Sequence, residues 1–273
     1  MLLQRVLVVA ILLPIGIALI FLGGVWFALA VSLILGLAGW EFAGIFKRGG
    51  HQPSGVLVVV GILLLVWAKY FGDPLLEGGL LVLSILAAMT YHLVQYERGR
   101  DGAAVDFAVT LAGILYVGWL GAYFISLRNL EAGAWWILLV LPAIWLADSG
   151  AYFVGRRFGK RHLSPRLSPK KTWEGYIGGL AVGVVGTVIL GAAWSRIGGP
   201  EFQITPLQSA FLGVVLAAIT TLGDLGESMI KRQFGVKDSG NLLPGHGGAF
   251  DRIDSWLWGA PLGYLIILYV ILA

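Results

Sequence analysis

The segment from Ser228 to Asp254 concentrates residues that could handle a metal-bound polyphosphate. Within 27 residues it carries cations, carboxylates, one histidine and flexible glycines: Lys231, Arg232, Lys237, Asp238, His246, Gly247, Gly248, Asp251, Arg252 and Asp254. Mg²⁺ prefers carboxylate oxygens, and basic side chains neutralise phosphate charge. Because His246 lies between glycines and beside two aspartates, we interpret it as a phosphate contact, a metal neighbour or a proton donor.

Just before this segment, polar residues are spaced for one face of a helix. Asp224, Glu227, Ser228, Lys231 and Arg232 lie at i, i+3, i+4, i+7 and i+8. A carboxylate in a membrane span is costly and usually faces a functional cavity. A buried ion pair that holds helices together is the alternative. In the same way, the spacing of Asp251 and Asp254 predicts that they share a helix face.

A third polar region begins at Asp148 and ends in a basic loop. Seven of the sixteen residues from 156 to 171 are Lys or Arg. Its last part places a proline turn, two lysines and hydroxyls before a predicted helix, where free N–H groups favour an anion: Ser168, Lys170, Lys171 and Thr172. For the arginines, a topology signal with attraction to anionic headgroups is an equal alternative.

The composition requires an integral membrane protein. Apolar residues make up 58% and charged residues 12% of the chain, whereas soluble domains carry about 25% charged residues. The apolar runs are too long for barrel strands, which leaves helices. The absence of cysteine excludes disulfides, thiolate metal sites and cysteine nucleophiles.

We therefore predict an all-α membrane protein with about nine transmembrane helices in one polytopic domain, 1–273. Residues 1–130 would form the N-terminal spans, and residues 131–273 would form the catalytic spans and cytoplasmic loops. The predicted spans are 4–22, 25–46, 55–71, 75–96, 105–127, 134–155, 172–195, 206–230 and 255–272. The first apolar run is too long for a signal-peptide core, so we expect a retained first helix.

The distribution of basic residues predicts the orientation of these spans. With a cytoplasmic N-terminus, sixteen of the 19 Lys and Arg residues fall on the inner side. The C-terminus then lies outside, and all three polar regions lie on the cytoplasmic side. Such a site fits nucleotidyl transfer to a lipid phosphate, in which positioning and electrostatics do most of the work. These residues do not identify the base.

The polar segment resembles the signature of phosphatidate cytidylyltransferases, also called CDP-diacylglycerol synthases. The matching pattern is Ser228-x-x-Lys231-Arg232-x₄-Lys237-Asp238-x-Gly240-x₂-Leu243-Pro244-x-His246-Gly247-Gly248-x-x-Asp251-Arg252-x-Asp254. The segments that begin at Asp148, Ser168 and Gly223 are also similar to that family. The resemblance is dense from Asp148 to Asp254 and extends to the N-terminal spans mainly as hydropathy.

The resemblance implies that CTP and phosphatidic acid give CDP-diacylglycerol and pyrophosphate. It implies metal binding at Asp224 and Asp251, to which we add Asp254, with Mg²⁺ and a second, monovalent cation such as K⁺. Phosphate contacts would come from Lys170, Lys171, Lys231, Arg232 and Arg252. We expect Asp224, Asp251, His246 and Lys231 to be catalytic, and further substrate contacts from Asp148, Ser168, Thr172, Ser228, Lys237, Asp238, Gly247 and Gly248. A homodimer in the bacterial inner membrane is expected, with no nucleic-acid partner.

Two other functions use some of the same residues. A CTP-dependent lipid kinase needs a similar metal and triphosphate site but transfers the γ-phosphoryl group to an alcohol. An ion-coupled transporter could use Asp148, Asp224 and Glu227 as a relay. The complete signature weighs against the kinase. The clustering of polar residues at one membrane face weighs against the transporter.

Overall fold

The computed structural model describes residues 2–240 and 247–272, with side chains from residue 10 onward. Nearly all of this chain is helical. The α-helices are α1 Leu2–Leu22, α2 Gly24–Arg48, α3 Gly55–Phe71, α4 Pro74–Glu97, α5 Ala103–Ala112, α6 Leu120–Asn129, α7 Gly133–Phe158, α8 Trp173–Ile197, α9 Pro206–Ile219, α10 Thr221–Gln233, α11 Phe250–Ile253 and α12 Trp256–Ile266. π-Helical segments, Gly113–Trp119 and Ile267–Ile271, join α5 to α6 and follow α12.

Seven helices in the described residues are long and apolar enough to cross a membrane. They are Gly24–Arg48, Pro74–Glu97, Ala103–Asn129, Gly133–Phe158, Trp173–Ile197, Pro206–Gln233 and Phe250–Ile271. Two shorter apolar helices, Ala10–Leu22 and Gly55–Phe71, fall at the first and third predicted spans. A helical membrane protein is therefore confirmed. The count of nine spans and the orientation stay predictions.

Local side-chain chemistry sets several helix ends. Asp73 accepts hydrogen bonds from the N–H groups of Leu75 and Leu76 at the start of α4, where Pro74 supplies a preset φ. Thr205 and Gln208 form a reciprocal capping box at the start of α9. These caps satisfy N–H groups that the first helical turn leaves free.

The chain divides into two compact units. The first contains residues 1–126 and 230–253, and the second contains residues 127–229 and 254–273. The predicted boundary near residue 130 lies close to the division after residue 126. However, residues 230–253, which include much of the signature, group with the N-terminal spans.

In the first unit, α2 packs against α3, the π-helical segment Gly113–Trp119 and α11. Its buried core includes Leu35, Phe42, Ile62 and Ile114. Phe42 meets the ring of Phe250 edge-on, at 5.7 Å between ring centroids. This contact fixes the start of α11, the helix that carries Asp251, against α2.

In the second unit, α7, α8, α9 and α12 pack together. Glycines of α8 allow a close approach to α7, as expected from their small-residue spacing. A Cβ on Gly179 would lie 2.6 Å from the Ala147 carbonyl, and one on Gly175 would lie 2.7 Å from the Ala151 carbonyl. These two glycines are therefore packing positions between α7 and α8.

The basic loop forms a β-hairpin that we did not predict. Strand β1, His162–Ser164, pairs antiparallel with β2, Ser168–Thr172. Glu174 accepts hydrogen bonds from the N–H groups of Lys160 and Arg161, at 2.9 and 3.1 Å. The hairpin leads directly into α8, so the tandem lysines lie on a strand rather than on an irregular loop.

Candidate active site

Three aspartates and one lysine come together in the second unit. We call Asp148, Asp224, Asp254 and Lys171 the aspartate cluster. The Lys171 ammonium lies 2.6 Å from Asp224 Oδ2. Asp148 interacts electrostatically with Lys171 and Asp224, and Asp254 interacts with all three other members. Four residues that are far apart in sequence therefore form one charged site, as the phosphate-handling hypothesis expects.

Four different elements position the aspartate cluster. Asp148 lies on α7, Lys171 on β2, Asp224 on α10 and Asp254 in the turn between α11 and α12. Gly223 allows α10 to approach this turn, because a Cβ there would lie 2.5 Å from the Asp254 carbonyl oxygen. The Ser228 hydroxyl, one turn along α10, donates to Asp224 Oδ1 at 3.4 Å.

The residues that precede α8 have separate roles. Thr172 is the N-cap of α8, since its hydroxyl accepts a hydrogen bond from Gly175 N–H at 3.1 Å. The predicted arrangement of lysines directly before a helix N-terminus is therefore present. Lys171 turns toward Asp224, Lys170 is exposed and Ser168 is half-buried.

A second cluster forms in the first unit around Asp251. We call Glu41, Lys231, Ser239 and Asp251 the loop cluster. The Lys231 ammonium donates to Asp251 Oδ1 at 2.6 Å, and both residues are buried. Asp251 Oδ2 accepts from the Ser239 N–H and from the Gly248 N–H, at 2.9 and 2.8 Å. Asp251 thus ties α10 to both ends of the segment that precedes α11.

Glu41 is a member of the loop cluster that we did not predict from sequence. It lies on α2, and its Oε2 accepts hydrogen bonds from the Ser239 hydroxyl at 2.8 Å and from Phe250 N–H at 2.9 Å. Gly240 and Gly248 lie directly against its carboxylate. The only available signal was an acidic residue inside an apolar span, which is costly unless it has a function.

The remaining predicted residues lie at the surface or outside the described chain. Gly247 has a φ of +79°, a conformation that glycine adopts without strain. His246 lies outside the described residues, as do Leu243 and Pro244 of the signature. The exposed residues are Arg232, Lys237, Asp238 and Arg252. Asp254 follows the end of α11 at Ile253, so the helix face that we expected it to share with Asp251 ends one residue early.

The aspartate cluster has a donor set that suits Mg²⁺. Three carboxylates facing one ammonium leave an excess of negative charge, and the ligating atoms are oxygens. In the part of the chain that the structure describes, no three acidic or imidazole side chains are arranged to hold a metal by themselves. This agrees with the usual Mg²⁺ site, in which one or two carboxylates act together with waters and substrate phosphates.

The sequence pattern that defines the cytidylyltransferase family matches residues 3–270. The chain belongs to this family. The match spans both units, including the N-terminal spans for which the signature itself gave no information. The resemblance that we inferred from the signature is thereby confirmed.

Several similar proteins carry the name phosphatidate cytidylyltransferase. The protein of Pseudomonas aeruginosa is 37% identical in an alignment of 285 positions, gaps included, that covers 96% of this chain and all of that protein. The protein of Synechocystis is 32% identical and covers 98% of this chain and 97% of its own length. The protein of Bacillus subtilis is 37% identical over 77% of each chain.

Proposed function

We propose that this protein transfers the cytidylyl group of CTP to phosphatidic acid, giving CDP-diacylglycerol and pyrophosphate. The observation that carries the proposal is the aspartate cluster, in which Lys171 and Asp224 meet at 2.6 Å beside two further carboxylates. This arrangement provides both a cation site and a phosphate contact. Family membership and the relatives' names support cytidylyl transfer to phosphatidate.

In the proposed reaction, an oxygen of the lipid phosphate attacks the α-phosphorus of CTP. A new P–O bond forms there, the bond to the β-phosphate oxygen breaks, and pyrophosphate leaves with the electron pair. Lys171 neutralises charge on the triphosphate, because an ammonium at this point stabilises the transition state more than the separated substrates. Lys170, Arg232 and Arg252 are exposed cations that we propose as further phosphate contacts.

Mg²⁺ is part of the proposal. Asp224 and Asp254 would hold it in the second unit, where it would neutralise the triphosphate and polarise the reacting phosphoryl group. Asp251 stays a proposed cation ligand in the first unit. Its Oδ1 accepts a hydrogen bond from the Lys231 ammonium at 2.6 Å. A monovalent ion such as K⁺ is the second cation that we propose.

The loop cluster has a positioning role in this proposal. Asp251 and Glu41 together accept hydrogen bonds from Ser239, Gly248 and Phe250, which flank residues 241–246 of the signature. Both ends of the segment that carries His246 are thereby anchored. We propose that His246 contacts phosphate or transfers a proton there.

We further propose nine spans, a cytoplasmic N-terminus, an external C-terminus and a homodimer in a bacterial inner membrane. The distribution of Lys and Arg supports the orientation and the cytoplasmic site. The resemblance alone supports the dimer. Because the chain has no cysteine, single cysteines introduced near Lys47 and near Glu131 can be labelled in intact cells with an impermeant maleimide. Labelling only near Glu131 is expected. Labelling only near Lys47 would show the opposite orientation.

The activity is tested with purified protein, phosphatidic acid, Mg²⁺ and CTP that carries different labels on its α- and γ-phosphates. Transfer of the α label to lipid with release of the γ label in pyrophosphate is expected. Transfer of the γ label to an added alcohol acceptor would instead indicate a kinase. No transfer by folded protein would contradict the proposal. Asp224→Asn should lose most of its activity, whereas Asp101→Asn, the same change at an exposed loop position, should not.

A further inference from the structure

A polar cavity of about 280 Å³ lies in the first unit. None of its lining residues belongs to the aspartate cluster or the loop cluster. The lining residues with polar side chains are Lys47, Gln52, Tyr91, His92, Gln95, Arg100 and Asp106. Sites for drug-sized ligands measure roughly 300–1,000 Å³, so this cavity fits one small headgroup rather than a nucleotide.

The guanidinium of Arg100 is held in a fixed position at the cavity. Its Nε donates to Oδ2 of the buried Asp106 at 2.7 Å, and its Nη2 donates to Asp106 Oδ1 at 3.3 Å and to the Gly50 carbonyl at 2.9 Å. Gln52 N–H also donates to Asp106 Oδ1, at 2.7 Å. In the described part of the chain Arg100 Nη1 has no hydrogen-bond partner, so its two N–H groups are available to a ligand.

Lys47 adds a positive charge that no carboxylate balances within the described residues. Its ammonium lies 5.5 Å from the centre of the Trp40 ring. Since Arg100 and Asp106 neutralise each other, the lining carries an excess of one positive charge when His92 is neutral. The cavity is therefore suited to an anion.

His92, which lines the same cavity, carries a hydrogen-bond acceptor without a partner among the described residues. The ring is buried, at 2% exposed, and its Nε2 lies 2.9 Å from Thr110 Oγ1. The Thr110 hydroxyl donates to the Asp106 carbonyl and accepts from Ser54 N–H. It therefore accepts from His92 Nε2, which carries the ring hydrogen. Nδ1 is then an acceptor, and it has no partner among the described residues.

An unpaired acceptor beside unpaired donors defines the chemistry of the ligand. A buried polar atom without a partner is costly and unusual. We propose that the cavity binds a phosphate group that retains one hydrogen, either a lipid phosphomonoester headgroup or free hydrogenphosphate. Lys47, Arg100 Nη1 and the amides of Gln52 and Gln95 donate to its oxygens. His92 Nδ1 accepts the P–OH hydrogen, which a phosphodiester lacks.

The position of the cavity suits either source of phosphate. Lys47 lies in the last turn of α2, and Arg100 lies just after α4, so both are at helix ends where lipid headgroups and solvent are accessible. The phosphate-binding proposal does not depend on the proposed transferase activity. If the cavity bound no phosphate, the proposal of transferase activity would still stand.

The test uses the full-length protein with ¹⁵N-labelled histidine in lipid nanodiscs. The chain has four histidines, and the Nδ1 signal of His92 is identified as the one lost in His92→Gln. Inorganic phosphate is titrated into nanodiscs of a zwitterionic lipid, and nanodiscs with phosphatidic acid are compared with nanodiscs with phosphatidylglycerol. We expect a saturable shift of His92 Nδ1 with inorganic phosphate, with phosphatidic acid, or with both.

A matched pair of variants makes the result specific. Lys47→Gln should weaken the response about tenfold, as expected for loss of a charge-assisted hydrogen bond. Arg48→Gln, the same charge change at the next position and outside the cavity lining, should leave it unchanged. A response to phosphatidic acid alone identifies the lipid headgroup, and one to inorganic phosphate alone identifies the free anion. No shift with either, an equal shift with phosphatidylglycerol, or equal behaviour of the two variants would overturn the proposal.

Discussion

Replacing Glu41 tests whether the loop cluster positions the signature segment. Glu41 Oε2 accepts both the Ser239 hydroxyl and Phe250 N–H, at 2.8 and 2.9 Å. Hydrogen bonds to a charged group contribute about 1.5–3 kcal/mol each. Because Glu41 is half-buried, we take the lower value for each bond and expect Glu41→Leu to weaken the anchoring of Ser239 and Phe250 by up to about 3 kcal/mol. The loss is smaller to the extent that the Ser239 hydroxyl donates instead to Asp251 Oδ2, which lies 2.9 Å away. That corresponds to at most roughly a hundredfold fall in the equilibrium constant for this anchored arrangement.

Glu41→Gln is the matched variant. Both donors reach the same oxygen, so a glutamine amide oxygen there can keep both hydrogen bonds and lose only their charge assistance. We expect a loss of roughly tenfold, since charged hydrogen bonds are about twice as strong as neutral ones. The assays are kcat/KM for cytidylyl transfer and hydrogen exchange of the peptide that covers residues 236–250.

The expected result is a graded loss of kcat/KM, with faster exchange in this peptide and unchanged exchange in α7 and α8. Normal exchange and normal kcat/KM in Glu41→Leu would refute the positioning role. A loss of activity without faster exchange would show that Glu41 acts by another route than ordering the segment.

Three further variants test the remaining geometry. Asp251→Asn should abolish turnover and lower the Tm. Lys231 would lose its carboxylate partner, and removing one partner of a buried ion pair costs about 3–5 kcal/mol. An unchanged Tm would count against a structural role of Asp251. Asp224→Asn should raise the Mg²⁺ concentration needed for half-maximal activity in any residual turnover, and an unaltered Mg²⁺ titration would remove Asp224 as a ligand. Gly179→Ala should destabilise the protein by about 1–3 kcal/mol through overpacking, whereas Gly44→Ala, which meets no atom within 4 Å, should not. Equal unfolding temperatures for the two glycine variants would contradict the packing of α8.

The helical segments could be predicted from the sequence because hydropathy is a local property of the chain. Each predicted span falls on a helix of the described chain, with ends that differ by a few residues. The π-helical Gly113–Trp119 was not foreseen, since its extra residue per turn leaves the apolar pattern of the span intact. The β-hairpin was missed because its strands are short, basic and half-exposed, with no period-two pattern.

Most members of the two clusters could be named from the sequence, but their contacts could be predicted only in part. Asp224, Asp251 and Lys171 could be identified because charged residues are rare in this chain and their spacing matches a known signature. The pairing of Lys171 with Asp224 joins β2 to α10 within the second unit, and no local pattern reports such a contact. Glu41 was missed for the same reason, because its partners Ser239 and Phe250 are about two hundred residues away.

The strand conformation of β2 makes its two lysines unequal. Neighbouring side chains on a strand point in opposite directions, so only one of Lys170 and Lys171 can face Asp224, and that residue is Lys171. Inserting one residue after Lys171, if Thr172 kept its place at the start of α8, would exchange which faces of the hairpin the two side chains occupy. With an uncharged insertion the charge of the loop would be the same, yet the lysine beside Asp224 would be lost. The contact with Asp224 therefore depends on the sequence distance between a lysine and the helix cap at Thr172. It does not depend on how many lysines the loop contains.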